Sequence, residues 1–506
     1  MGASRVTYRA QSIKFSMAAA IMAAVLIIIP TTVRVEAQAQ TLAQAQTEAQ
    51  APLELTLENA LQLALENHPS IVAGRDAVAA AERALKKASA AYSIKVDAVS
   101  RPLATIGKSY NEETGKILDI KRGEARLNTS LSTIYGVSGS VSLSHSLFGQ
   151  QNAPTSSLQA SVSAGLDPSS ILYNQGRLSL ATQTAQLSKA IWDQDALIKK
   201  VLIETISTYW QLELEAMNLE ITREQAAEKE AAYRSVMELM DKGVATNLEV
   251  LTAQIEMRDA QLALRKSETS YVNKLANFLS NLGWKVDMNN LPTPVPSGGA
   301  RLENLASSFD AAVLAEAMVN SSLDLKKKQL DLELTRLRVS AAKADLSPSI
   351  SLSASYSIPN LYKSDSSKNS WAVSVNVEYP ILDGGTRRLT MEERELDLDN
   401  AVAALQKAEE TVIESVKTML ENWEQAVENL AIAQLKLEKA RLEESIKTEH
   451  HRLGIVSQTA LAATKRATRL AEINLQAAIN ACYIIELEIA AATGDALLLN
   501  GRRLLP

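Results

Sequence analysis

One cysteine, Cys482, stands among 506 residues. A lone cysteine excludes an internal disulfide and leaves nothing from which a Cys-based metal site could be built. It reads as a small apolar packing residue rather than a reactive thiol. Aromatic residues are only 4% of the chain. Alanine, leucine and charged residues dominate, which is the composition of long packed helices. The four histidines are His68, His145, His450 and His451. The last two adjoin, but adjacent residues face different sides of a helix, so a solvated helix end is read there rather than a metal or pH site. There is no P-loop, no dinucleotide fingerprint and no clustered His/Asp/Ser set. Carboxylates are plentiful, but on charged helical faces they are read as solvated. No catalytic residue, cofactor, metal ligand or nucleic-acid partner is assigned, and an enzyme is not expected.

Past the N-terminus, no segment reads as apolar enough for a membrane helix. The N-terminus itself resembles a secretory signal. Arg5, Arg9 and Lys14 precede an apolar run from Phe15 to Ile29, and Val35-Glu36-Ala37 or Ala37-Gln38-Ala39 fits signal-peptidase cleavage. The run is short for a membrane span, although an uncleaved anchor is the other reading. Cleavage after residue 37 removes four basic residues and one acidic one, taking the formal charge from -6 to about -9. No cysteine follows the run, so a lipoprotein is not expected.

What the chain does have is two long helical hairpins. Each reads as an outgoing helix of roughly 70 residues, a glycine turn and a return of roughly 38, or about 105 and 57 Å at 1.5 Å per residue. The first turn is Lys242-Gly243-Val244-Ala245-Thr246-Asn247-Leu248-Glu249, the second Leu453-Gly454-Ile455-Val456-Ser457-Gln458-Thr459. Glycine ends a helix in the left-handed conformation without a Cβ penalty. Thr246 and Ser457 offer N-cap hydroxyls, and Thr246 with Glu249 forms a capping box. The last helix carries a seven-residue repeat. Leu461, Thr468, Leu475, Cys482 and Ile489 form one row, and Thr464, Ala471, Ala478, Ile485 and Ala492 the other. That is a coiled-coil seam.

Between the helices the period drops to two. Val137 to Leu147 puts serine on one face and a largely apolar set on the other, Ser349 to Ile358 puts serine at every second position, and Trp371 to Ile381 alternates again. Such strands cannot lie buried on both faces. They fit a one-sided soluble sheet or a membrane barrel whose strands run about 9–11 residues.

The two halves follow one plan, so a single unit is written twice. The expected division is a signal peptide at 1–37, a disordered segment at 38–52, a first repeat at 53–290, a linker at 291–300, a second repeat at 301–494 and a tail at 495–506. The second repeat is expected to open with helices from about Leu302 to Asn320 and from Leu323 to Ala344. The glycine turns lie 211 residues apart, but Tyr92-Ser93 and Leu346-Ser347 lie 254 apart, so the first repeat holds 43 extra residues in its strand region. Leu158 to Leu166 alternates within them, which suggests an added strand or hairpin.

Four segments together resemble the outer-membrane efflux protein family, the TolC family. They are the opener Leu55 to Pro69, the turn Tyr379-Pro380-Ile381-Leu382-Asp383-Gly384-Gly385 and the two glycine turns. The resemblance implies a mainly α fold with a membrane β-barrel. Three copies would share the barrel with about four strands each and extend a coiled-coil tunnel through the periplasm. It implies an outer-membrane location, with a periplasmic adaptor docking at the tips, here Gly243, Val244, Leu453, Gly454 and Ile455. Lys242 departs from the family's apolar-Gly-apolar pattern. Acidic residues narrow the family's tunnel near the tip, which makes Asp241, Glu444 and Glu449 candidates. The first repeat has Leu147-Phe148-Gly149-Gln150 rather than the Leu-Asp-Gly-Gly turn.

The function expected is a passive exit duct of a tripartite efflux or type I secretion system. Its partners would be other copies of the chain, the adaptor, outer-membrane lipid and, indirectly, an inner-membrane transporter. The alternative is a soluble periplasmic coiled-coil adaptor or spacer, which explains hairpins and export but not repeated serine/aliphatic strands.

Overall fold

The computed structural model describes residues 55–100, 104–111, 115–148, 156–284, 291–300, 309–361 and 369–494. The segments expected as a signal peptide (1–37), a disordered stretch (38–52) and a tail (495–506) fall outside the described residues. Each repeat begins with two helices. In the first these are α1 (Leu57–Asn67) and α2 (Pro69–Ala90). Thr56 caps α1 by accepting from the Asn59 amide. His68 then ends it, and Pro69 takes the first position of α2, where its missing N–H costs nothing. The strands of this repeat are β1 (Lys95–Val99), β2 (Thr105–Asn111), β3 (Lys116–Ser132), β4 (Val137–Phe148) and β5 (Ser156–Gly165). A single turn, α3 (Pro168–Ile171), leads into α4 (Gln175–Asp241) and its return α5 (Asn247–Asn281).

The second repeat runs α6 (Ala311–Ser321), α7 (Leu323–Asp345), β6 (Ser349–Ile358), β7 (Ser370–Glu378), α8 (Thr386–Arg452) and α9 (Gln458–Thr493). Helix α6 starts at Ala311, where the Asp310 carboxylate accepts from the Ala312 and Val313 amides and fixes the N-terminus; the part of the expected helix from Leu302 to residue 308 lies outside the described residues.

The outgoing helices α4 and α8 are both 67 residues long. Each packs along its return helix and also against the second short helix of its own repeat, α2 for α4 and α7 for α8. The return helix and the short helices meet end to end. Gly283, just past α5, lies against the Asn67 carbonyl at the end of α1. Gly494, which caps α9, lies against Ser321, whose hydroxyl donates to the Ala492 carbonyl at 2.6 Å. Short helices and return thus form one broken rod beside each long helix, the same way twice.

The hairpins join through α4 and α9. Arg469 and Arg466 of α9 pair with Glu224 and Glu228 of α4. The predicted seam is where the heptads place it: Leu461, Thr468, Cys482 and Ile489 are buried, Cys482 completely. By length and composition α9 could cross a membrane, which the sequence reading does not anticipate. Its apolar excess is the seam and the added buried face Ile479, Tyr483 and Leu487, packed on the helices around it.

Residues 291–300 are no loose linker. Leu55 and Pro294 form a parallel bridge. The Tyr209 hydroxyl lies 2.7 and 2.6 Å from the Leu55 and Val295 carbonyls. Trp210 donates to Ser297 at 3.1 Å, and Ser297 donates to buried Glu213 from both amide and hydroxyl. The Ala300 amide donates to Asn480 at 2.9 Å. Ala300 belongs to the largest core, together with Trp210, Tyr209, Leu279 and Leu487, and Leu291 packs against it. Desolvation pushes the Glu213 carboxyl up, against the two Ser297 hydrogen bonds. The segment separates the repeats in sequence and ties them in space.

The strands make one sheet in the order β1-β3-β4-β5-β6-β7, antiparallel throughout. β2 pairs with the upper part of β3, where Thr105 faces Arg122 and Asn111 faces Lys116. β1 and β2 thus form one interrupted edge. Among the described residues the sheet is six strands wide, two more than the family's four, and the 43 extra residues supply the expected addition as a hairpin.

Candidate functional site

Because the register has no slip below Gly123, side chains of one parity align across the whole sheet. One row runs Ser132, Ser138, Ser163, Ser353, Ser374, and the next Ser130, Ser140, Ser161, Ser355, Ala372. Hydroxyls join across strands at 2.7 Å (Ser138 and Ser163), 2.8 Å (Ser140 and Ser161), 2.6 Å (Ser144 and Ser157) and 2.8 Å (Ser353 and Ser374). Lys95, Asp97, Glu124 and Arg126 add charge to this face at the β1–β3 side, where Arg126 grips Glu124 with both ends of its guanidinium. The face is hydrophilic, and Lys95, Asp97, Arg126, Ser140, Ser161 and Ser355 on it are exposed.

The opposite face is apolar and equally bare. Val162 of β5 and Val373, Val375 and Val377 of β7 are 54, 60, 62 and 66% exposed, with Ala354 of β6 between Val162 and Val373 in the register. A contiguous apolar face of this breadth needs an apolar environment. Aromatics mark its borders. Tyr356 and Trp371 face each other at one end, and exposed Tyr135 and Tyr379 lie at the helix-bearing end. From Trp371 to Tyr379 a strand covers about 27 Å, close to the apolar band of a membrane barrel between aromatic girdles.

The glycine turns are one motif used twice. Gly243 and Gly454 have φ of 76° and 75°. The Gly243 amide donates to Met240 at 2.8 Å and Val244 to Leu239 at 2.9 Å; Gly454 donates to His451 and Ile455 to His450, both at 2.9 Å. This is the Schellman closure. Thr246 and Glu249 complete the predicted capping box, and the Thr246 hydrogen bonds hold the Glu249 carboxyl low. Ser457 caps α9 by accepting from the Ala460 amide. His451 bonds through Nδ1 to the Val456 carbonyl at 2.8 Å, so it donates there and pins the turn. Of the five tip residues, both glycines have open space around them, and Val244, Leu453 and Ile455 are exposed.

The three acidic candidates lie on the two outgoing helices, Asp241 on α4 and Glu444 and Glu449 on α8. Asp241 is the last residue of α4 and exposed. Glu444 is half-buried on α8, and Glu449 lies a turn before its end. Arg452 holds the Glu449 carboxylate, with Arg452 Nε at 2.9 and 3.1 Å from its oxygens, and lowers its pKa.

Sequence reading missed one junction. Leu147-Phe148 lies on β4, not at a strand-to-helix turn. The counterpart of Leu382-Asp383 is Leu166-Asp167, and both aspartates fold back on their turns. Asp383 accepts from the Gly385 and Arg387 amides. Asp167 accepts from the Ser170 amide at 2.9 Å, the Ser170 hydroxyl at 2.8 Å and the Ile350 amide at 3.1 Å. Burial works against its charge, but Ser169, Ser170 and the Ile350 amide outweigh it and bring its pKa down to about 2. An Asp-Pro step before a helix was the available signal.

A sheet with one lipid-compatible and one hydrophilic face, carried on paired helical hairpins, defines an outer-membrane channel protein. The profile of the outer membrane efflux protein family matches residues 125–283 and 314–495, and the chain belongs to that family. It is 25% identical over 242 residues to the solvent efflux pump outer membrane protein SrpC of Pseudomonas putida, covering 47% of this chain and 48% of that one. It is 22% identical over 322 residues to nodulation protein T of Rhizobium leguminosarum bv. viciae, 60% of this chain and 64% of that one. The chain thus spans about half to two thirds the length of these relatives. Among solved structures, the Campylobacter jejuni CmeC outer membrane channel superposes with a TM-score of 0.62 at 15% identity, covering 87% of this chain and 85% of that one. The open-state Neisseria gonorrhoeae MtrE channel gives 0.59 at 14%, covering 87% and 88%. At such identity these two likenesses speak to the fold alone.

Proposed function

We propose that the protein is a passive exit duct of a tripartite efflux or type I secretion system. Three copies close their sheets into a barrel in the outer membrane, and their hairpins extend a tunnel into the periplasm. The observation that carries this reading is the two-faced sheet. Its bare apolar side suits lipid, and its hydroxyl-lined side suits a water-filled lumen. A soluble adaptor or spacer would have to leave that apolar side in water. Residues 1–37 direct export and are cleaved, and the repeats at 53–290 and 301–494 each supply one hairpin per copy.

The tips dock a periplasmic adaptor through Gly243, Val244, Leu453, Gly454 and Ile455. Exposed apolar side chains beside open glycines, on turns of identical geometry, support this. Asp241 and Glu444 narrow the tunnel above the tips, and Glu449 does so with its charge partly offset by Arg452. Energy comes from an inner-membrane transporter, reached only through the adaptor.

Gly454→Pro tests the tip. Proline cannot adopt a φ of 75° and lacks the N–H that bonds His451. Solute export by cells carrying the variant should be abolished, while detergent-extracted protein keeps its trimeric mass in the outer-membrane fraction. Unimpaired export would rule out tip docking. A water-soluble monomer or dimer from the unmodified chain would rule out the duct itself.

A further inference from the structure

The sheet cannot stay open in a membrane. Its edges, β1 with β2 on one side and β7 on the other, carry backbone N–H and C=O groups that hydrocarbon cannot satisfy. Six strands are also too few to close alone, since the smallest membrane barrels have about eight. The occupant of each edge must therefore be another sheet. Because the strands alternate direction and their number is even, β7 of one copy lies antiparallel to β1 of the next when all helices point to the same side. Pairing β7 with β7 about an axis along the membrane normal would make them parallel. Head-to-tail closure into a ring follows.

Charge marks the seam. Lys95 opens β1 and Glu378 ends β7. Both are exposed, both sit at the helix-bearing end, and the register puts both on the hydrophilic face. The row that starts at Lys95 crosses Ser130, Ser140, Ser161 and Ser355 and arrives at Ala372. Ala372 is six residues short of Glu378 along β7. If Glu378 faces Lys95 of the next copy, each copy adds a stagger of six residues for six strands. Shear then equals strand number, which corresponds to a strand tilt of about 36°, within the range for barrels.

We infer that the protein closes an eighteen-stranded barrel, six strands per copy, with Glu378 of each copy facing Lys95 of the next. The inference rests on the trimer proposed above. The added β3–β4 hairpin is part of the wall, not an appendage. Taking strands about 4.8 Å apart at this tilt, the backbone ring is about 34 Å across, against about 23 Å for twelve strands. The hydroxyl-lined outer mouth then adds no constriction of its own for polar solutes, and any sieving by size falls to the helical tunnel.

Two measurements test it. The first is a strand count in a cryo-EM map of the unmodified full-length protein in detergent, which needs no variant. Eighteen strands in a three-fold ring are expected. Twelve strands in a trimer would overturn the inference and leave the exit duct standing. A ring of two copies would overturn the trimer and the eighteen-strand count with it. The second is cross-linking in a Cys482→Ala background. Lys95→Cys together with Glu378→Cys should give, with a short bismaleimide, covalent dimer and trimer and no higher band. Either cysteine alone should give monomer. Absence of the ladder in a protein that still extracts as a trimer would overturn the seam.

Discussion

At the residue scale, Asp167 shows how one side chain can hold two repeats together. Its carboxylate ends β5, caps α3 and accepts from the amide that opens β6. It is only 3% exposed, so solvent screens it little. Its folded pKa of about 2 lies below the ordinary 3.8. A depressed carboxyl contributes stability above its unfolded pKa and loses it as pH falls toward the folded value. The contribution is about 2 kcal/mol at neutral pH, at 1.36 kcal/mol per unit. Asp167→Asn should therefore lower stability by about 2 kcal/mol at pH 7. Below about pH 4 the difference should shrink, and near pH 2 the two proteins should converge. Denaturation midpoints at pH 7, 4 and 2.5 check this; a gap that stays constant with pH would rule out the charge as its cause.

At the element scale, much was legible because the signals were local. Heptad rows, glycine turns and a capping box name their own geometry, and both 67-residue helices begin and end where the periodicity places them. Strand alternation gave the two faces for the same reason. Long-range partners were not legible. Nothing in Pro292-Thr293-Pro294 announces that the strap is tied to Tyr209 and Asn480, because those bonds cross 86 and 180 residues. The strand count was legible only in part: the 43 extra residues and the alternation from Leu158 to Leu166 pointed to an added strand or hairpin, but pairing decides how many strands share a sheet. Glycines at helix ends look alike in sequence yet differ in surroundings. Gly243 has open space, whereas a Cβ on Gly283 would stand 2.6 Å from the Asn67 carbonyl oxygen. Gly243→Ala should cost only the left-handed penalty of about 1–2 kcal/mol. Gly283→Ala should cost clearly more, because backbone must also move where α5 meets α1. Thermal unfolding followed by circular dichroism at 222 nm checks the order, and equal losses would refute the end-to-end packing.

At the scale of the whole molecule, the two-faced sheet joins the helical part to a membrane, and neighbouring residues on one strand separate its faces. Val375 lies on the apolar face, midway between Trp371 and Tyr379, and is 62% exposed. Ser374 is one residue away on the hydrophilic face, its hydroxyl 2.8 Å from that of Ser353. An arginine on the lipid side at mid-depth costs about 2–4 kcal/mol, whereas lumen positions tolerate charge. In the proposed ring of three copies that cost repeats in every subunit, so its effect on assembly multiplies. Val375→Arg should strip the protein from the outer-membrane fraction, leaving it degraded or aggregated in the periplasm. Ser374→Arg loses one hydroxyl pair but places its charge in water, so it should reach the outer membrane in near-normal amount and change only the ion selectivity of the pore. Envelope fractionation with quantitative immunoblotting separates the cases. The alternative is a sheet whose apolar side packs on another protein rather than on lipid. It predicts that Val375→Arg is rescued by a compensating acidic residue in that partner and that the wild type extracts without detergent. A bilayer can offer no such compensation, so fractionation of this pair distinguishes lipid from protein as the neighbour of the apolar face.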